Sequence, residues 1–90
     1  MAYHFYIVRC SDNSLYCGQT NNLTKRIKEH DSSNSRSAKY TKIRRPVVLV
    51  YSEEFLSLQL AMKREGQVKR WTKAKKEALI QNDKEMLKRS

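Results

Sequence analysis

The chain has 90 residues, with 19 Lys and Arg against 9 Asp and Glu and a formal charge of +10. A chain this short holds a single hydrophobic core, so one domain is expected over residues 1–82, with 83–90 a fraying helix or tail. The excess of positive charge attracts polyanions and makes nucleic acid the leading partner class, although a merely lysine-solvated surface accounts for charge alone nearly as well.

No apolar run is long enough to span a bilayer, and the opening MAYHFYIVRC carries polar groups too early for a secretory signal. The expectation is a cytoplasmic protein without membrane contact. Cys10 and Cys17 lack the paired spacing of a zinc site and read as small buried thiols.

His4 to Cys10 and Leu15 to Thr20 are rich in aromatic and β-branched residues, with the turn-forming Ser11, Asp12, Asn13 and Ser14 between them, which predicts a β-hairpin. Asn21 and Asn22 offer an N-cap for a helix in which Leu23 and Ile27 share a face, ending near His30. Asp31 to Ser37 reads as a loop, and Ala38 to Arg45 is short and strongly basic. Val47 to Tyr51 is a continuous apolar run that suits a strand buried on both faces. Ser57 caps a second helix, where Leu58, Ala61, Met62 and Val68 repeat at helical spacing. Thr72 opens a third, basic one with Ala74, Ala78 and Leu79 on its apolar side.

Several polar residues fall where core residues belong. Arg26 and His30 lie three and seven positions after Leu23, so they project from the same side of the helix as Leu23 and Ile27. An arginine there can simply snorkel past the core, and a lone histidine is more often structural than catalytic. Glu65 lies four after Ala61 and three before Val68, in the middle of an apolar stripe. A carboxylate there needs a cation, a metal or several hydrogen bonds. The simplest expectation is a salt bridge to Arg26; the functional one is a metal-binding carboxylate.

Tyr6 and Tyr16 lie on the two hairpin strands, and register decides whether they meet. A symmetric turn pairing Cys10 with Leu15 sends them to opposite faces, whereas an odd-length loop or a bulge brings them together. Gly18 marks a place where the backbone must bend or a phosphate must come close.

The tripeptides FYI (Phe5 to Ile7) and YCG (Tyr16 to Gly18) resemble the two signature tripeptides of the GIY-YIG nucleases. Arg26, His30 and Glu65 follow in the family's order. AKYTKIRRP at Ala38 to Pro46 and REGQVKRWTKAKKEALI at Arg64 to Ile80 are similar to its small stand-alone bacterial members, described as predicted endonucleases. Related domains serve in excision repair, restriction, homing and structure-specific DNA cutting. Phe5 departs from the first glycine, Cys17 from the isoleucine, and Gln19 from a lysine found in some relatives.

The resemblance implies an α+β fold with a central three-stranded antiparallel sheet flanked by helices, and a shallow site on one sheet face. Glu65 would hold one divalent cation, Mg²⁺ or Mn²⁺, against a phosphate oxygen, and Arg26 would neutralise charge growing on the phosphoryl group. Tyr6 or Tyr16 would orient or deprotonate the attacking water, although a free phenol has a pKa of about 10 and needs a nearby cation to act as a base. His30 would accept a proton or contact phosphate.

Lys39, Tyr40, Lys42, Arg44 and Arg45, with Lys69, Arg70 and Lys73, would track the phosphate backbone, and Tyr40 or Trp71 would stack on a base unless Trp71 belongs to the core. The expected activity is metal-dependent DNA endonuclease cleavage, selective for structure or strand state over sequence, by a monomer or weak dimer without a small-molecule cofactor. RNA remains open as a partner. The competing readings are a nucleic-acid-binding module of the same fold with little or no turnover, and an adaptor whose basic face meets an acidic protein.

Overall fold

The computed structural model describes residues 2–30 and 43–82. Three strands, Tyr3–Arg9 (β1), Leu15–Thr20 (β2) and Val48–Phe55 (β3), form one antiparallel sheet in the order β2-β1-β3. Helix Leu23–His30 (α1) lies between β2 and β3 in sequence, and Leu58–Lys69 (α2) and Lys73–Gln81 (α3) follow β3.

The hairpin loop holds five residues, Cys10 to Ser14, an odd number, and this sets the register at Arg9↔Leu15, Val8↔Tyr16 and Tyr6↔Gly18. Because successive side chains alternate between faces, Tyr6, Val8 and Tyr16 fall on one side of the sheet. The loop is held by the Cys10 N–H donating to the Ser14 carbonyl (2.9 Å), by the Asp12 carboxylate accepting from the Ser14 N–H (3.0 Å), and by Asn13 in the left-handed region at φ 69°. Asparagine tolerates that conformation better than most residues.

The two faces have different cores. Phe5 and Ile7 pack with Cys17, Val68 and Leu79 under α2 and α3, whereas Tyr6 and Val8 pack with Cys10 and Val47, flanked by Tyr16, Leu23 and Ile27 under α1. Each fully buried Phe, Ile or Val contributes about 1.5–3 kcal/mol by leaving water. Cys10 and Cys17 are buried and free.

The helix starts follow the sequence. The Lys25 N–H donates to the Asn22 side-chain oxygen (3.1 Å), the Leu60 N–H to the Ser57 hydroxyl (3.2 Å) and the Lys75 N–H to the Thr72 hydroxyl (3.2 Å). Each such cap satisfies a backbone donor that the first helical turn leaves without a partner. Asn82 closes α3 in the left-handed conformation. Arg9 at the end of β1 makes a two-pronged ion pair with Glu77, at 2.7 and 2.5 Å, which ties α3 to the sheet.

Two expectations are corrected. The strand buried on both faces is β1, whose Phe5 to Val8 are at most 1% exposed, and β3 is instead an edge strand in which Val48 is 60% and Leu49 36% exposed. A continuous apolar run fits either position; flanking strands decide, and only β1 has one on each side. A bulge between Ile7 and Val8 also leaves Val50 without a register partner. On α2, Ala61 and Val68 are buried as expected, but Leu58 and Met62 turn outward. Residues 31–42 and 83–90, with the serine-rich loop, Lys39, Tyr40, Lys42 and the tail, lie outside the described residues.

Candidate active site

The face of the sheet under α1 gathers four of the five polar residues that the sequence singles out, Tyr6, Tyr16, Arg26 and His30, while Glu65 stands on α2. α1 is held over β1 by Leu23 and Ile27, and this brings its last residue, His30, into complete burial (0% exposed). The ring lies 5.7 Å from that of Tyr6 and 5.3 Å from that of Tyr16, centre to centre, edge-on to both. The Tyr6 hydroxyl stands 2.7 Å from His30 Nε2. The odd-length hairpin loop therefore lets one imidazole contact both tyrosines.

Arg26, one turn before His30, hydrogen-bonds Tyr6 and pairs with Glu29 at 3.1 Å. A guanidinium can only donate, so the Tyr6 oxygen accepts from Arg26, while the direction of the Tyr6–His30 hydrogen bond follows the imidazole tautomer. Burial, and after it the Arg26 charge, push His30 down to about 4 against the opposing pull of Glu29. Burial also pushes the Tyr6 phenol up to about 12, outweighing the hydrogen bond and charge of Arg26. Both groups are neutral at pH 7. The cation expected to make a tyrosine acidic is present, but removal from water is the stronger effect.

Gly18, opposite Tyr6, has an ordinary strand backbone, since no glycine among the described residues has positive φ. Its role is spatial: a Cβ there would stand 2.6 Å from Tyr6 Cζ, closer than real carbons approach. The bare backbone leaves room for the phenol ring, so the glycine is explained without a bend in the strand.

Glu65 is half-buried on α2, between buried Ala61 and Val68. The expected salt bridge to Arg26 does not form; Arg26 reaches Glu29, three residues along its own helix, at lower entropic cost than a partner on another element. Among the described residues Glu65 makes no hydrogen bond or ion pair. Its charge still raises the Tyr6 phenol and the Cys17 thiol, after burial in both cases, so it lies within electrostatic reach of both sheet faces. Tyr6, Tyr16, Arg26 and His30 are thus joined by direct contact or hydrogen bonds, whereas Glu65 stands apart on α2 and its charge is only a small influence on Tyr6. Glu29 was missed, although its i, i+3 spacing from Arg26 was visible.

The basic residues stand on two supports. Arg44 is fixed to the hairpin loop by its ion pair with Asp12 (3.1 Å), with Arg45 exposed beside it, while Lys69, Arg70 and Lys73 are exposed at the α2–α3 corner. Trp71 packs against the Phe5 cluster, with Lys75 Nζ 4.2 Å and the Arg64 guanidinium carbon 5.2 Å from its ring centre, so it belongs to the core edge.

Residues 2–78 match the GIY-YIG catalytic domain, and the chain belongs to that family of nuclease-type domains. Its relatives include UPF0213 proteins: YazA of Bacillus subtilis is 48% identical over 77 residues, 86% of this chain and 76% of that protein. One from Staphylococcus haemolyticus is 50% identical over 82 residues, 90% of this chain and 98% of the relative. The solution NMR structure of a UPF0213 protein from Bacillus halodurans matches with a TM-score of 0.57 at 41% identity, covering 90% of this chain and 84% of that one. A solution NMR structure of a protein from E. faecalis matches with a TM-score of 0.62 at 34% identity, covering 91% and 85%.

Proposed function

We propose that the chain is a divalent-metal-dependent DNA endonuclease, selective for structure or strand state, with Tyr6, Tyr16, Arg26, His30 and Glu65 as its catalytic set. The observation that carries this reading is the Tyr6–His30 pair under Arg26, with Tyr16 against the same imidazole, in a chain of the GIY-YIG family. A structural histidine alone would not need two tyrosines and an arginine around it.

Tyr6 has a definite place in such a reaction. As a neutral phenol it takes a proton from the attacking water while passing its own to His30 Nε2; the new P–O bond forms as the bond to the leaving oxygen breaks, that oxygen takes a proton from solvent, and Arg26 stabilises the charge growing on the phosphoryl group. Tyr16 bounds the pocket and fixes the imidazole.

Glu65 fits a hard cation because its carboxylate is half-buried and makes no bond among the described residues. No group of three or more His, Cys, Asp or Glu side chains suited to a metal occurs among those residues, so Glu65 would hold Mg²⁺ or Mn²⁺ together with water and phosphate oxygens. Such an ion, when bound, supplies positive charge at the scissile phosphate. Arg44, Arg45, Lys69, Arg70 and Lys73 are the proposed phosphate contacts among the described residues, with Lys39, Tyr40 and Lys42 proposed from sequence. No described helix is long and apolar enough to cross a membrane.

The test is incubation with labelled branched, nicked and single-stranded DNA, with Mg²⁺ or Mn²⁺ and with chelator. Cleavage by the native chain that needs the metal and disappears in Glu65→Ala supports the reading. Binding without any cleavage overturns it in favour of a binding module.

A further inference from the structure

The outer flank of α2, turned away from the sheet, carries a feature of which the proposed function uses only Arg70. Met62, Lys63, Gly66, Gln67, Arg70 and Trp71 line an open groove of about 640 Å³. Residues 62, 63, 66, 67 and 70 recur at helical spacing opposite the buried Ala61 and Val68, so one helix face forms the floor and the indole forms an end wall.

The groove's chemistry is specific in three respects. Gly66 leaves its middle open, because no atom lies within 4 Å of where a Cβ would stand. Met62, 51% exposed, and Trp71 supply apolar surface. Lys63 and Arg70 are two helical turns apart, about 10 Å along the axis, and neither makes an ion pair among the described residues. The Arg64 guanidinium donates to the Gln67 side-chain oxygen (2.9 Å), which leaves the Gln67 amide N–H groups as donors. Among the described residues the lining holds no acid.

We infer that this groove is a binding site for single-stranded nucleic acid, taking one unstacked base against Met62, Gly66 and the Trp71 wall while Lys63 and Arg70 hold the flanking phosphates. The inference rests on nucleic acid being the partner of this chain, and not on cleavage. A strand is favoured over an acidic peptide because the apolar floor between the two cations requires a flat, apolar group between two negative charges, which is the layout of a nucleotide strand. Duplex DNA has phosphates but keeps its bases stacked inside, so it cannot fill the floor.

The chain contains one tryptophan, so indole fluorescence reports from the groove wall. The experiment titrates oligothymidylate, a duplex of equal length and a polyglutamate peptide into the native chain and Gly66→Leu, in chelator and at low salt. Gly66→Leu adds bulk to the groove without changing charge, and leucine favours helix over glycine. The expected result is a saturable fluorescence change with oligothymidylate, and binding about tenfold weaker in Gly66→Leu, in line with loss of one base contact. Duplex affinity should be the same in both proteins. Equal affinity of the two proteins for oligothymidylate would overturn the groove, as would an equal indole response to duplex or to polyglutamate. Because cleavage is silent in chelator, loss of this site and loss of the nuclease reading are separate results.

Discussion

β1 presents two faces that differ in kind. On one, Phe5 and Ile7 meet Cys17, Val68 and Leu79 in a dry core that only asks for shape and apolar surface. On the other, Tyr6 shares its hydroxyl with His30 and Arg26, and a polar network occupies the place of a core. Buried polar groups are costly unless every donor and acceptor is matched, so this second face is stable only as a set, whereas the first tolerates volume-conserving exchange. Alternation along a single strand is enough to keep the two apart.

Five substitutions or conditions sharpen that contrast. The largest effect is expected from Glu65→Ala: under the proposed reaction, cleavage rates measured with Mg²⁺ fall by about a thousandfold. The denaturant midpoint should hardly move, because the carboxylate makes no bond among the described residues.

Acid should bear most heavily on the polar face. His30, held at about 4 in the fold against 6.5 when unfolded, is neutral in the native state, so the unfolded chain binds the extra proton first. The stability this contributes is complete above pH 6.5 and is lost as pH falls towards 4, about 3 kcal/mol over the window. Urea unfolding at stepped pH should show the slope in the native chain and a flatter one in His30→Gln.

Gly18→Ala comes next. The new Cβ would collide with the Tyr6 ring, so the variant should lose about 1–3 kcal/mol in denaturant unfolding and should lose cleavage with it. Tyr6→Phe keeps the ring and deletes the hydroxyl, leaving His30 Nε2 without its partner; about 1–2 kcal/mol should be lost by thermal or urea unfolding.

The smallest effect belongs to the edge of the fold. Arg9 and Glu77 are each partly exposed, and water screens their attraction even in a two-pronged geometry. Glu77→Gln should cost about 0.5–1 kcal/mol and become nearly silent in high salt. A larger cost would mean that α3 depends on this pair more than on Ala78 and Leu79.

Much of this was legible residue by residue. The caps at Asn22, Ser57 and Thr72 were readable because capping is a local bond between a side chain and a backbone two or three positions on. The stripe of Leu23, Ile27 and His30 was readable because helical geometry fixes which residues share a face. The order Tyr6, Tyr16, Arg26, His30 and Glu65 was readable through its likeness to a family. β3 was misjudged because Val47 to Tyr51 looks the same to a sequence whether a strand lies at the centre or the edge. The Arg26–Glu65 bridge was misjudged because a nearer carboxylate on the same helix competes for the guanidinium.

The amino-acid order by itself determined the elements, their caps, the sign of the charge and the residue types available for chemistry, since all of these depend on bonds and periodicities within a few positions. Tertiary structure alone decided that both tyrosines meet one imidazole, that β1 is the central strand, and that burial keeps Tyr6 protonated and His30 neutral. Those outcomes depend on strand register and on the exclusion of water, which arise only when distant segments close over one another.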